Sequence, residues 1–309
     1  MAKDGQALAM TQQASESSNS EETAQESDDP RPAFIAMFTA VRRYLLGDGL
    51  ASEAREQVAT NPKGEMTRAF DAEAERIALA VAERELGAFH ALSEEAGEIT
   101  VGRQPRWTLV LDPCDGSNNF RRGIRSVGFA VAALPFGAAL DPAQVTYAVC
   151  GDIFTGTLYS AARGQGATID GRPCHTSATR ELRHAMLGIN IGRARSPLAT
   201  ALDEAGRAHV AQRLWDIIGG ASTIRRTGAT VLDLCYVAQG AYDGYVDLRE
   251  RLTPENFLAP SLILTEAGGL FVGPDGQPIG PVAFTHPYSV LATANAALLA
   301  ELLTILGQA

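Results

Sequence analysis

An apolar run in the first half of the chain ends directly in a pair of acids. Residues 107–111 have the length and composition of a short buried strand, and Asp112 and Asp115 follow it three residues apart. Pro113 and Gly116 would hold both carboxylates in one loop, where two unpaired anions repel each other. A hard divalent cation relieves that repulsion, and Mg²⁺ prefers carboxylate and carbonyl oxygens. The alternative is an ordinary turn, since Pro and Asp-Gly are common turn residues.

Helix-type and strand-type patterns alternate from Pro32 onward. Apolar residues at helical spacing predict a first helix that ends near Gly47 or Gly49 and a second at about residues 68–85. Short apolar runs predict strands in both halves of the chain, and Pro274-Asp275-Gly276 predicts a hairpin over 270–281. Further helices are predicted at 207–217, 230–238, 254–268 and 296–306, and further strands at 89–92, 127–135, 144–150, 157–161, 167–169, 185–191, 222–226, 242–248 and 289–293. This mixture favours a layered α/β (α+β) architecture.

The first 30 residues differ in composition from the rest of the chain. They carry seven acids against one base, many Ser, Gln, Glu and Thr residues, and almost no large apolar groups. Such a segment cannot bury enough apolar surface to offset its chain entropy. We therefore predict a disordered acidic tail over residues 1–31 and a folded domain over residues 32–309. The remaining 29 acids and 25 bases leave the folded domain only mildly acidic.

The composition also argues against several classes of partner. The chain lacks the excess of basic residues that a nucleic-acid-binding surface needs, so we predict no nucleic-acid partner. No apolar run approaches the roughly 20 residues of a membrane span, and the N-terminus lacks the apolar region of a secretory signal. Cysteines without C-x-x-C spacing argue against a disulfide framework and a zinc site. We therefore predict a soluble, cytoplasmic protein with no membrane association. The four cysteines are Cys114, Cys150, Cys174 and Cys235.

Several motifs in a fixed order connect the acid loop to a known family. The hexapeptide DPCDGS at 112–117 is preceded by Glu94-Glu95 and, further upstream, by Thr67 and Asp71 in the segment KGEMTRAFD. Downstream lie a glycine-rich segment at 159–171, Gly228-Ala229-Thr230 at a predicted helix start, Asp247 in a predicted strand, and Glu-Ala-Gly-Gly at 266–269. In these motifs the chain resembles the inositol monophosphatase and fructose-1,6-bisphosphatase superfamily, whose defining motif is D-P-x-D-G-[ST]. The resemblance covers about residues 35–306.

The resemblance implies a fold and an activity. The implied fold is a layered α-β-α-β-α sandwich, with a metal-binding half at about 32–180 and a substrate-binding half at about 181–309. The implied activity is that of a Mg²⁺-dependent phosphoric monoester hydrolase. Its substrate would be a small phosphorylated polyol or sugar, such as an inositol monophosphate or a compound like fructose 1,6-bisphosphate. The family's usual assembly is a homodimer, which we therefore expect here.

The resemblance also assigns roles to individual residues. Glu94, Asp112 and the Cys114 carbonyl would hold one Mg²⁺, and Asp71 with Thr67 or Ser117 would orient the attacking water. The set for a second Mg²⁺ comprises Asp112, Asp115 and Asn256. The substrate contacts would be Gly116, Ser117 and Asn118 at the phosphate and Gly228, Ala229, Thr230 and Asp247 at sugar or cyclitol hydroxyls.

The residues by themselves leave simpler interpretations open for three of these acids. Glu94 could be a solvated acid in a loop, and Asp71 could lie on an exposed acidic face of its helix. Asp247 could form a structural ion pair with Arg249 or Arg225. These interpretations make different predictions about burial and neighbours in the folded chain.

One position departs from the family pattern. Counting back from the Glu-Ala-Gly-Gly segment places the family's Trp-Asp pair on Glu255 and Asn256. Asn keeps a carbonyl oxygen but loses the negative charge, which weakens the second metal site more than the first. Glu255 is expected to point elsewhere, because adjacent helix residues are about 100° apart. The departure supports an alternative function, a catalytically impaired homologue that binds a phosphorylated ligand or acts as a regulatory protein.

Overall fold

The computed structural model describes residues 29–51, 53–64, 66–191 and 204–308 of the chain. Residues 1–28 of the predicted acidic tail lie outside the described residues. The first helix begins at Arg31, where Pro32 occupies the first turn and needs no hydrogen-bond acceptor for a backbone N–H. All four cysteines are buried as free thiols.

Seven α-helices lie in the described ranges. They are α1 (Arg31–Leu46), α2 (Ala69–Leu86), α3 (Ser117–Arg121), α4 (Glu204–Gly220), α5 (Thr230–Ala238), α6 (Pro254–Glu266) and α7 (Ala296–Leu306). Helical spacing of apolar residues predicted all of these except the short α3 to within about three residues, a normal uncertainty for helix ends. None of the helices in the described residues has the length and apolar composition that a membrane crossing requires.

Fifteen strands in the described ranges form three sheets. They are β1 (Gln57–Thr60), β2 (Met66–Arg68), β3 (Phe89–Ser93), β4 (Gly97–Val101), β5 (Trp107–Asp115), β6 (Gly128–Pro135), β7 (Tyr147–Asp152), β8 (Leu158–Ala162), β9 (Ala167–Ile169), β10 (Arg172–Cys174), β11 (Met186–Asn190), β12 (Thr223–Arg225), β13 (Gly244–Leu252), β14 (Leu270–Val272) and β15 (Tyr288–Thr293). The sheet orders are β1-β2, β10-β9-β8-β7-β6-β5-β3-β4 and β12-β11-β13-β15-β14.

The two large sheets differ in strand direction. In the eight-stranded sheet β3 and β5 are parallel, and the other neighbouring strands are antiparallel. In the five-stranded sheet β11 runs parallel to both β12 and β13, and β15 runs antiparallel to β13 and β14. The parallel pair β3–β5 matters most for the site, because it brings two strand ends to one edge.

Five layers stack on one another, and each of the two large sheets is covered on both faces. Helices α1 and α2 pack on one face of the eight-stranded sheet, and α5 and α6 fill the space between the two large sheets. Helices α4 and α7 cover the outer face of the five-stranded sheet. Strand β6 is buried over seven of its eight residues, as its continuous apolar sequence predicts for a strand covered on both sides. The predicted layered α-β-α-β-α sandwich is confirmed.

The predicted hairpin at 270–281 is wrong. Only its first arm forms a strand, β14, and that strand pairs with β15 instead of with the following residues. The turn itself is present, since the Gly276 N–H donates to the Gly273 carbonyl at 2.9 Å. The second arm contains Pro278 and Pro281, which cannot donate backbone hydrogen bonds to a neighbouring strand.

Gly151 in β7 provides a test of the packing between α1 and the large sheet. A Cβ atom at Gly151 would lie 2.3 Å from Cε2 of Phe38, whose ring is buried in the same core. We expect Gly151→Ala to lower the free energy of unfolding by about 2 kcal/mol, because the ring must move within a close-packed core. Urea denaturation followed by circular dichroism measures this change.

Gly219→Ala is the matched control, since Gly219 lies in α4 with open space where its Cβ would be. This variant should be neutral or slightly stabilising, because Ala is a better helix former than Gly. Equal denaturation midpoints for Gly151→Ala and the wild type would contradict the packing described here.

Candidate active site

The segment that carries Asp112 and Asp115 belongs to a strand, whereas the sequence predicts that the strand ends at residue 111 and that both acids lie in a loop. Strand β5 continues through Asp112 to Asp115, with an irregularity in its pairing to β6 between the two acids. Gly116 follows with a φ of 99°, and α3 begins at the next residue. A Cβ on Gly116 would lie 3.0 Å from the Ser126 carbonyl oxygen, so both the conformation and the space favour glycine here.

Glu94 lies beside Asp112 because of the parallel pairing of β3 with β5. Ser93, the last residue of β3, pairs with Leu111 of β5. The residues that follow this pair along the two chain segments, Glu94 and Asp112, are both acids. Glu94 itself lies in the turn after β3 and is half-buried, and its side chain hydrogen bonds to the buried Asp112. Glu94 is therefore a loop acid, as the simpler interpretation has it, but one that contacts a second acid and is not fully solvated.

Burial raises the pKa of all three predicted metal-binding acids, and the charge of Asp112 adds to the shift of the other two. Burial raises the pKa of Glu94, and the Asp112 charge raises it further. Burial and then the Asp112 charge likewise raise the pKa of Asp115, and burial is the main cause of the raised pKa of Asp112. Crowded, buried acids of this kind are stabilised as anions by a divalent cation, and their oxygens are the donors that Mg²⁺ prefers. The donor set therefore fits Mg²⁺.

The acids are not already arranged around an ion. Among the described residues, no group of three or more His, Cys, Asp or Glu side chains is placed to hold a metal. Asp112 accepts hydrogen bonds from the Cys114 N–H at 2.9 Å and from Glu94, and Asp115 accepts one from the Val231 N–H at 2.7 Å. Binding a cation must therefore replace at least the hydrogen bond between the two carboxyl groups.

Asp71 contacts the acid loop through Ser117. The Ser117 hydroxyl donates to Asp71 Oδ1 at 2.9 Å, and Asp71 Oδ2 is buried with no hydrogen-bond partner among the described residues. Burial, together with the charge of Glu95, raises the pKa of Asp71 to about 8. Asp71 is 4% exposed, so the interpretation as a residue of an exposed acidic face is wrong.

Thr67 has a different partner from the one the resemblance implies. Its hydroxyl donates to the Glu95 carboxylate, whereas Ser117 occupies the contact with Asp71. Glu75, one helical turn after Asp71 in α2, accepts hydrogen bonds from the N–H groups of Glu95 at 2.9 Å and Ala96 at 2.7 Å. Glu75 thus fixes the loop that carries Glu94. Its i+4 spacing from Asp71 is the only sequence signal for this role.

Asn256 caps its own helix and contacts Asp112. Its Oδ1 accepts the Thr253 N–H at 3.3 Å, which is half of a capping box at the start of α6. Its Nδ2 donates to Asp112 Oδ2 at 3.2 Å. The amide oxygen is therefore engaged by the helix start, and the amide nitrogen faces the acids.

Glu255 lies closer to the acids than the sequence predicts. Its side chain is 2% exposed, and its charge raises the pKa of Glu94, Asp112 and Asp115. It forms a buried ion pair with Lys63, a residue that the sequence analysis did not single out. The two residues are 192 positions apart, and although Lys63 begins the KGEMTRAFD segment and Glu255 falls on the family's Trp-Asp pair, nothing in either motif links them.

Two neighbouring cavities share Asn118. The first has a volume of 280 Å³ and is lined by Asn61, Met66, Arg68, Glu94, Glu95, Gly116, Ser117, Asn118 and Asn256. The second has a volume of 650 Å³ and is lined by Asn118, Asn119, Arg122, Ile124, Asn190, Arg226, Thr227, Gly228, Arg249 and Arg251. We call the first the acid pocket and the second the arginine cleft. Opposite charges thus lie on the two sides of Asn118.

The predicted substrate contacts in the second half separate into two groups. Gly228 lines the arginine cleft, but Ala229 and Thr230 are buried, and the Thr230 hydroxyl lies 3.2 Å from the Tyr245 hydroxyl. Asp247 is fully buried and accepts the Arg249 Nε–H at 2.9 Å. The structural ion pair considered for Asp247 is therefore present, with Arg249 as the partner.

Comparison with known proteins agrees with the fold and the motifs. A model of the inositol monophosphatase family matches residues 33–308. The chain is 31% identical over 233 residues to the fructose-1,6-bisphosphatase/inositol-1-monophosphatase of Methanothermobacter thermautotrophicus, which covers 74% of this chain and 78% of that protein. It is 30% identical over 181 residues to the Nus factor SuhB of Escherichia coli, which covers 58% of this chain and 61% of that protein.

A solved structure is also similar to this chain in fold. The extragenic suppressor protein SuhB from Bartonella henselae matches with a TM-score of 0.73 and 25% identity, over 89% of this chain and 97% of that one. The family match spans nearly all of the described residues and includes every segment that forms the acid pocket. The chain belongs to the inositol monophosphatase family, a family of phosphatases that generally depend on Mg²⁺.

Proposed function

We propose that this chain is a Mg²⁺-dependent phosphomonoesterase that hydrolyses a small phosphorylated sugar or polyol. The observation that carries the proposal is the convergence of Glu94, Asp112 and Asp115 at one edge of the eight-stranded sheet, next to Asp71 and Ser117. These residues come from three separate parts of the sequence. A shared buried site for them has no structural advantage unless a cation offsets their repulsion.

The residues divide into a metal-holding set and a water-orienting set. Glu94, Asp112 and the Cys114 carbonyl would hold Mg²⁺, and Asp115 would extend this set. The ion would supply Lewis-acid polarisation of the phosphate ester. Asp71 Oδ2, which has no partner among the described residues, would accept a proton from the attacking water, and Ser117 fixes the carboxylate through Oδ1. A nearby cation would lower the raised pKa of Asp71 from about 8 towards neutral pH, so that more of this base is ionised at neutral pH.

The acid pocket would hold the phosphate that is cleaved. Gly116, Ser117 and Asn118 line the pocket, so their backbone N–H groups and the Ser117 hydroxyl are candidates for contacts with phosphate oxygens. Asn118 also borders the arginine cleft, so a substrate bound across it would extend from the acid pocket into the cleft.

The arginine cleft favours a substrate with a second anionic group. Arg122, Arg226, Arg249 and Arg251 line the cleft; Arg249 is paired with Asp247, and the charge of Arg226 lowers the pKa of Asp233. Arginine is well suited to bind phosphate because its guanidinium offers several donors in a planar fork. We therefore propose a sugar bisphosphate as the preferred substrate, with an inositol monophosphate as the second choice. Gly228 at the cleft would contact the organic part.

A second candidate function is a phosphorylated-ligand-binding or regulatory protein with impaired catalysis. Asn256 supports it, because the amide faces Asp112 with its nitrogen. The relative named Nus factor SuhB also supports it, although the match covers 61% of that protein. We favour hydrolysis because Glu94, Asp112, Asp115 and Asp71 are all retained, with Asp112 and Asp71 buried and the other two half-buried beside them. A homodimer in the cytoplasm is part of the proposal.

Asp112→Asn tests the proposed metal dependence. We expect Mg²⁺-dependent release of phosphate from fructose 1,6-bisphosphate or inositol 1-phosphate to fall about 100-fold or more, because the central anionic ligand is lost. Phosphate release is measured with a colorimetric assay, and EDTA should abolish the wild-type rate until Mg²⁺ is restored.

The control for that experiment is Asp216→Asn. Asp216 is exposed on α4, where it accepts a hydrogen bond from Gln212 at 2.8 Å, and it lines neither the acid pocket nor the arginine cleft. The Asp216→Asn variant should release phosphate at the same rate as the wild type. Hydrolysis that survives Asp112→Asn unchanged would contradict the proposed site, and no hydrolysis of any phosphate ester by the wild type would favour the regulatory function.

Arg226→Ala tests the role of the arginine cleft. We expect the KM for fructose 1,6-bisphosphate to rise about tenfold, with little change for inositol 1-phosphate, because only the bisphosphate carries a second phosphate into the cleft. The matched control is Arg225→Ala. The neighbouring Arg225 donates to the Thr223 hydroxyl and the Ile224 carbonyl, both at 2.9 Å, and does not line the cleft. Equal KM changes for both substrates, or for both variants, would count against a bisphosphate-binding cleft.

A further inference from the structure

Arg68 is the only basic residue among the described residues that line the acid pocket. Two of the other lining residues are acids, Glu94 and Glu95, and the rest are neutral. Glu94 belongs to the proposed metal-holding set, whereas Glu95 does not, and its carboxylate accepts a hydrogen bond from the Thr67 hydroxyl. A phosphate ester that enters the pocket therefore meets a carboxylate outside the metal-holding set, and like charges repel each other.

The backbone of Arg68 is fixed at the junction of a strand and a helix. Arg68 is the last residue of β2, where it pairs with Gln57 of β1. It is also the N-cap of α2, with an extended backbone (φ −102°, ψ 161°). Asp71 follows three residues later in the first turn of α2 and is buried, whereas Arg68 is half-buried. One junction thus carries the proposed base and a cation of the acid pocket.

One edge of the Arg68 guanidinium group remains available to a ligand. Its Nη1 donates to the Arg55 carbonyl oxygen, just before β1, at 3.1 Å. Within the part of the chain that the structure describes, Nε and Nη2 donate to nothing, and no carboxylate forms an ion pair with the group. The planar fork of Nε and Nη2 matches two oxygens of a phosphate group.

The same edge is bound to a carboxylate in other arginines of the chain. Nε and Nη2 of Arg249 donate to the neighbouring aspartate, and those of Arg76 and Arg84 donate to glutamates on α2. At Arg68 the edge has no such partner, although two glutamates line the same pocket. An oxyanion of the substrate can therefore bind where the other arginines bind a carboxylate.

We propose that Arg68 is a further catalytic residue, which binds the phosphate group of the ester in the acid pocket through its Nε–Nη2 edge. Phosphoryl transfer spreads negative charge over the oxygens around phosphorus, and a fixed guanidinium stabilises this charge without a proton transfer. The hydrogen bond to the Arg55 carbonyl holds the group in place before the ester binds. The inference rests on the proposed hydrolysis in the acid pocket and is independent of the second anionic group of the substrate.

Arg68→Gln tests the catalytic role, because it removes the charge but keeps a polar side chain that can donate hydrogen bonds. We expect kcat for inositol 1-phosphate in the presence of Mg²⁺ to fall about 100-fold, since a donor to the transition-state charge is lost. Arg68→Lys keeps the charge without the planar fork and should lower kcat about tenfold. An unchanged kcat in Arg68→Gln would overturn the proposal.

Arg55→Gln is the matched control. Arg55 contacts Arg68 only through its backbone carbonyl in the described structure, and its exposed side chain does not line the acid pocket. The kcat of this variant should equal that of the wild type. Equal losses of kcat in Arg55→Gln and Arg68→Gln would show a general effect of surface charge and would overturn the proposed contact.

Binding of inorganic phosphate provides a measurement that does not depend on turnover. Isothermal titration of the full chain with and without Mg²⁺ isolates the Mg²⁺-dependent binding, which we assign to the acid pocket. Arg68→Gln should raise the Kd of this binding about tenfold, because a charge-assisted contact is lost. If Arg68→Gln does not fold, Arg68→Lys takes its place and should raise the Kd by a smaller factor. An unchanged Kd in the folded variant would overturn the proposal.

The two measurements separate this inference from the proposed function. A chain that binds phosphate through Arg68 but releases none from any ester would refute the proposed hydrolysis and support the contact. A wild type that hydrolyses esters while Arg68→Gln retains its full kcat and Kd would support the hydrolysis and refute the contact. A wild type that neither hydrolyses esters nor binds phosphate would overturn both.

Discussion

The parallel pairing of β3 with β5 determines where the site forms. Because β4 turns back along one side of β3, the chain returns on the other side to form β5 in the same direction as β3. The parallel register therefore brings Glu94, which follows β3, into contact with Asp112, which lies inside β5. Helix α2 covers this edge with Asp71 and Glu75, one turn apart on its buried face. The chemistry of the pocket thus follows from one strand pairing and one helix.

The sequence allowed the fold and most of the acid cluster to be predicted, because both depend on local patterns. Helical spacing placed α1, α2 and α7, and the DPCDGS motif located Asp112 and Asp115 on a strand end. The pairing of Lys63 with Glu255 could not be predicted, because it joins a turn near β1 to the start of α6 through tertiary packing alone. The prediction of a hairpin at 270–281 was wrong because it relied on the turn residues. It did not take into account the two prolines after the turn, which cannot donate backbone hydrogen bonds to a paired strand.

The hydrogen-bond partner of the Thr67 hydroxyl likewise could not be predicted from the spacing of residues in the sequence. Thr67 and Asp71 are four residues apart and share a role towards the attacking water in the resemblance, but Thr67 lies in β2 and Asp71 lies in the first turn of α2. The change from strand to helix between them turns the two side chains toward different partners. Ser117 reaches Asp71 from the acid loop instead, so the contact depends on how α3 docks against α2.

The departures from the family pattern at residues 255 and 256 form one compensated set. The resemblance places an aromatic residue at 255, and a glutamate in that buried position is costly unless a cation pairs with it. Lys63 supplies that cation, Thr253 donates to the same carboxylate, and Phe284 covers the ammonium group. Random loss of function would leave Glu255 without such partners, since nothing would select them. The pairing of Glu255 with Lys63, next to an Asn256 that both caps α6 and donates to Asp112, instead indicates an ordered helix start beside the acids.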